Sequence, residues 1–154
     1  MNRKEVRRIA EMLHNTYGGA AWHGPSVREV LGQISPEKAF RETEKIHRIC
    51  ELVQHVTAWR IFALRRISGE ADYEVSEQEN WMKIKKQDGN AWNEILDRLH
   101  NSQQDLLHAL ETMTDEKLDD MVDKKGYTYY TLLHGLIQHD LYHLGEIALL
   151  ARLE

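Results

Sequence analysis

Cysteine occurs once in the 154 residues of this chain, at Cys50, so no disulfide can form within it. A single thiol fits a reducing compartment, and the cytoplasm is the expected location. Proline is almost as scarce: Pro25 and Pro36 are the two present, both in the first quarter. Beyond Pro36 long stretches carry no strong breaker, which favours helices, and alternating strand patterns are rare. No apolar run approaches the roughly 18 to 20 residues that a membrane span needs. The opening stretch MNRKEVRRIAEMLHNTYGG is basic but has neither the apolar core nor the small-residue cleavage site of a leader, so the chain is expected to be neither exported nor membrane-bound. The net charge is −5 and the Lys and Arg residues are not gathered in one run, which removes the electrostatic case for nucleic-acid binding. There is no internal repeat, no low-complexity segment, no Ser-His-Asp arrangement and no phosphate-binding glycine loop.

What is present fits one globular domain over residues 1–154, with 42% hydrophobic and 29% charged residues. Val6, Ile9, Leu13 and Tyr17 recur at helical spacing and predict a helix over 3–17, ended by Gly18-Gly19. AAWHGPS (20–26) then reads as a loop. Ser26 caps a short helix, SVREVLGQI, with Glu29 as the reciprocal cap, and Ser35-Pro36-Glu37 starts another short turn. A wide stripe from Ile46 to Ile67 predicts a second long helix over 43–67, stopped by Ser68-Gly69. Residues 70–80 read as an acidic loop. A third long helix is expected over 90–112, a capped short helix over 114–122, a turn at KKGYT, and a fourth long helix over 129–152. Four long helices with apolar faces bury them most simply as an all-α four-helix bundle, with the 18–42 excursion crossing one end.

Nine histidines are the chemically conspicuous feature. In HDLYHLGEI (139–147), His139 and His143 stand four residues apart, about 40° apart around a helix, so one helix could present both to one ion. Leu132 and Leu136 extend that face upstream, and Glu146 and Ile147 downstream. His55 lies mid-helix in ELVQHVTAW, with Leu52 and Trp59 on its own face, and could meet the pair at the centre of a bundle. Zinc, nickel or ferrous iron would need such a third ligand. On the residues alone, the three fit both a metal site and ordinary buried histidines. Acid-x-x-His spacings also occur at His14, His47, His100 and His108, but mid-bundle glutamates for a di-iron site are not evident.

LVQHVTAWR (52–60), AWHGPS (21–26) and LLHGLIQHDLYHLGEIALLARL (132–153) resemble the DinB/YfiT-like superfamily of small bacterial four-helix proteins. The likeness runs over nearly the whole chain, in the expected order. It implies a metal ion on His55, His139 and His143. One departure is Glu146, where many relatives carry glutamine. The resemblance also implies a homodimer, to which the tyrosine-rich stretch Tyr127, Tyr129 and Tyr130 could contribute. Its members include transferases that use low-molecular-weight thiols such as bacillithiol, thiol-dependent isomerases, metal-dependent hydrolases, and proteins without known activity.

Three neutral imidazoles leave a divalent ion its charge and open positions. The ion could then activate a small thiol for S-transfer to an electrophile. It could equally supply metal-bound hydroxide for hydrolysis. A non-catalytic stress or interaction protein that keeps a metal for stability is the third expectation. Trp59 could wall the pocket or pack in the core. Trp22 and His23 could fold over the site, or Trp22 could plug the end of the bundle. Arg65, Arg66 and Arg152 could hold a carboxylated thiol, although arginines near helix ends usually serve the helix dipole. Cys50 reads as a small core residue. The expected partner is a small-molecule substrate.

Overall fold

Ser26 and Ser35 close the first turns of two short helices in the computed structural model of the protein, which describes residues 2–44 and 46–153. In chain order the helices are α1 (Lys4–Gly18), α2 (Val27–Leu31), α3 (Pro36–Ala39), α4 (Ile49–Ile67), α5 (Glu77–Asn80), α6 (Gly89–Leu110), α7 (Asp115–Leu118) and α8 (Tyr129–Leu150). The described residues form no strand, only an isolated bridge between Met121 and Thr128. The four long helices close a ring of contacts: α4 packs on α6 and α8, and α1 packs on the same two. Among the described residues no helix is long and apolar enough to cross a membrane.

The loop between α7 and α8 reverses through Lys124 and Gly126, both at positive φ, at the expected KKGYT turn. Thr128 then caps α8 by accepting from the Thr131 N–H. At the other end of α8, the excursion after α1 supplies cationic caps: Lys38 donates to the Ala151 carbonyl, and Arg41 to those of Leu150 and Leu153. The start of α1 is held from across the fold, because the Asp115 carboxylate accepts the Glu5 and Val6 N–H groups.

Two expectations are corrected. The second long helix begins at Ile49 rather than at 43. Arg48 is extended there, and its N–H donates to the Glu51 carboxylate in the first turn, which fixes the helix entry. Lys45, within the expected span, lies outside the described residues. The stretch 70–80 is not wholly loop: Ser76 and Glu79 form a reciprocal cap that starts α5.

The core divides into two apolar clusters at mid-height. One joins Tyr17, Val53, Val56, Leu99, Leu144 and Ile147; the other joins Leu13, Ala63, Leu106, Leu133 and Leu136. Between them lies a buried polar layer. Arg60 of α4 is wholly buried and donates to Asp140 of α8 and Gln103 of α6, with its guanidinium 5.2 Å from the centre of the Tyr17 ring. Burial pushes the Asp140 carboxyl up, to about 6, against the lowering effect of the Arg60 charge. This layer ties α4 to α8 at the level of the histidines.

Candidate metal centre

His55 projects from the middle of α4, and His139 and His143 from successive turns of α8. Their ring nitrogens meet. His139 Nε2 stands 3.0 Å from Nε2 of His55 and 3.1 Å from Nε2 of His143. His55 and His143 are buried and His139 is half-buried.

The outer nitrogens of two rings fix their tautomers. His55 Nδ1 lies 3.0 Å from the Asn80 backbone carbonyl, and His143 Nδ1 lies 2.6 Å from the Glu146 carboxylate. Carbonyl and carboxylate only accept, so each Nδ1 carries the proton and donates. Both Nε2 atoms therefore aim lone pairs at His139 Nε2. A proton on His139 Nε2 could serve only one of them. Placed on His139 Nδ1 instead, it would be a buried donor without a partner, since that atom is buried and unbonded. Burial, more than the nearby His143, His55 and Arg60, pushes the His139 pKa down to about 3, and burial also lowers that of His55. Neutral rings whose nitrogens converge in this way suit a shared cation. Two imidazole nitrogens bound to one ion at about 2.0–2.1 Å stand roughly 3 to 3.4 Å apart. The observed separations match that spacing, and the group could hold a metal ion.

The cluster opens on a cleft of about 540 Å³ lined by Trp59, Tyr127, Thr131, Leu132, Gly135, Leu136 and Tyr142 together with the three histidines. Trp59 stands edge-on to His139. Its indole N–H donates to the Asn80 side-chain oxygen at 2.9 Å, so only the ring presents itself to the cleft. Asn80 thus grips α4 twice, through its backbone at His55 and its side chain at Trp59. Trp81 then stacks between His55, at 4.1 Å, and His47, at 3.5 Å. Asn80 and Trp81 were missed by the sequence reading. The capping signal Ser76-x-x-Glu79 immediately before them could have marked the segment as ordered.

The structure does not bring Trp22 and His23 to this cluster. Trp22 is 100% exposed, and His23 lines a separate cleft with Lys38 and Arg152. The reason lies in the Gly24-Pro25 turn and the Ser26 cap, which direct this connection toward the excursion against α8. Arg65 pairs with Glu70, and Arg66 donates to the Ala71 carbonyl and Glu74, so neither arginine reaches the cleft. Cys50 is buried in the core, its thiol pushed up to about 11 by desolvation. Tyr129 is buried and donates to the Arg66 carbonyl, Tyr127 lines the cleft, and Tyr130 is exposed. Among the described residues no second His, Cys, Asp and Glu group gathers as these three histidines do.

A family model described as the DinB superfamily matches residues 21–147. The chain belongs to the DinB superfamily. The matched span contains His55, His139 and His143 of this DinB-superfamily chain, as well as Asn80, Trp81 and Glu146. Comparison with curated proteins and with solved structures gave no match.

Proposed function

We propose that His55, His139 and His143 hold one divalent ion, nickel, zinc or ferrous iron, and that the protein is an enzyme transferring a low-molecular-weight thiol to an electrophile. The observation that carries this reading is the convergence of three histidine Nε2 atoms at the edge of an open, largely apolar cleft. An ion with three neutral ligands keeps its double positive charge and favours the anionic form of a thiol or a water. His55 and His143, locked by Asn80 and Glu146, keep their Nε2 lone pairs aimed inward without reorganisation. Trp59, Leu132 and Leu136 exclude water and receive the apolar body of the electrophile. No serine or cysteine lines the cleft among the described residues, which agrees with a nucleophile brought by the substrate. In the transfer, the sulfur forms a bond to the electrophilic carbon, the leaving group departs with its electron pair, and the thiol proton passes to solvent. An open cleft, rather than a centre filled by side chains, favours catalysis over a purely stabilising metal.

The test mixes metal-loaded protein with monochlorobimane, with and without a thiol, beside a panel of esters and amides. Thiol-dependent conjugation that disappears in His143→Ala is the expected result. Metal-dependent cleavage of the panel without conjugation by any thiol would replace transfer with hydrolysis.

Glu146 gives a graded prediction within the same reading. Glu146→Gln keeps an acceptor for His143 Nδ1 but removes the charge that makes the imidazole a better donor to a metal. Affinity for zinc, read by competition with a chelator, is expected to fall about tenfold, at the lower end of what such outer partners contribute. Equal affinity in the two proteins would show the carboxylate idle.

A further inference from the structure

We infer that Gly135 makes a seat for a flat, uncharged, apolar part of the substrate beside the metal centre; the inference rests on the reading above and names the substrate class of that site. Gly135 lies well inside α8, where glycine weakens a helix relative to alanine. Nothing in the packing requires it. Its φ is not in the positive region, and a Cβ built there would meet no atom within 4 Å. What the missing side chain leaves open is the cleft. Gly135 stands four residues before His139, so a side chain there would project on the same helix face, one turn from the imidazole.

The walls around this space define what fits it. Trp59 has its only polar atom engaged by Asn80, and Leu132 and Leu136 flank Gly135 along α8. Tyr142 is 67% exposed and stands edge-on to His143 at 5.0 Å on the other side. Among the described residues no Lys, Arg, Asp or Glu lines the cleft. At Gly135's end of the cleft, away from the ion, a charged group would give up hydration with no charged side chain to replace it, whereas an aromatic or other flat apolar body gives up little. At about 540 Å³ the space is of ligand size.

The experiment uses chelator-treated protein and two fluorescent probes with the same ring system: neutral phenylnaphthylamine, and anilinonaphthalene sulfonate, which adds one negative charge. The neutral probe is expected to bind the native protein at least about tenfold more tightly than the sulfonate. Along the series Gly135→Ala, Gly135→Met and Gly135→Leu its affinity should fall progressively with side-chain size, about tenfold or more at leucine. Gly135→Ala should at the same time raise the melting temperature by about 2–4 °C, as helix propensity dictates. Gly145→Ala on the same helix serves as control: Gly145 is also unobstructed but lines the other cleft. It should gain stability and bind the neutral probe unchanged. Should the leucine variant not fold, alanine and methionine carry the comparison. Probe affinity independent of side-chain size at 135, or equal binding of the two probes, overturns the inference. Because the assay contains no metal and no thiol, a failure of thiol transfer leaves its outcome untouched. An intact seat without conjugation would reject only the chemistry.

Discussion

Alanine at His139 is expected to abolish metal binding. Purified wild-type protein reconstituted with nickel, zinc or iron should carry one ion per chain by elemental analysis, and His139→Ala should carry none. His139 is the central member, since its Nε2 stands 3.0 Å from Nε2 of His55 and 3.1 Å from Nε2 of His143. Outer partners of metal ligands are worth about 10–100-fold in affinity, so removing this ligand should exceed a hundredfold. His55→Ala and His143→Ala should each lose most of the metal as well. Stoichiometry unchanged in all three variants would refute the assignment. The protein should still fold, because His139 Nδ1 makes no hydrogen bond and the ring is half-exposed to the cleft.

Arg60→Ala should have the opposite profile, with a large loss of stability. The substitution leaves the Asp140 carboxyl without its partner in the core between the two apolar clusters, and Gln103 without its donor. Breaking one side of a buried pair costs about 3–5 kcal/mol. In urea titration the midpoint should fall accordingly, with little change in slope. The double variant Arg60→Met with Asp140→Leu removes both charges and should recover much of the loss. A single variant as stable as wild type would mean that water reaches the layer and solvates the carboxylate.

The histidine cluster was the most legible part of the sequence, through local geometry together with the family resemblance. His139 and His143 are fixed on one face by helical period alone. His55 stands out because it interrupts an apolar stripe at mid-helix. The same signal would have exposed the polar layer, had it been applied to charge. Arg60 falls between Val56 and Ala63 on the buried face of α4, Asp140 between Leu136 and Leu144 on that of α8, and Gln103 between Leu99 and Leu106 on that of α6. Three polar groups at one level of three stripes announce a shared partner. Asn80 was illegible for a different reason: it holds His55 by a backbone carbonyl, which every residue possesses. Trp81 acts by stacking, which follows no spacing rule. The placement of Trp22 and His23 depended on the path of a turn, which composition does not encode.

The two helices that supply the histidines are distant along the chain, and that distance has a consequence for folding. His55 and His139 are separated by 84 residues, whereas His139 and His143 are neighbours on one helix. In the unfolded chain, uniting the first two costs roughly 4 kcal/mol of loop entropy from length alone. An ion could be caught loosely by the α8 pair before folding, but all three donors come together only once α4 and α8 have docked. Such an ion would be a reversible staple across more than half the chain. It would favour the native state in proportion to its free concentration, so that melting temperature becomes a readout of metal supply. On the proposed function, shortage of the ion would lower the stability of the chain together with its activity.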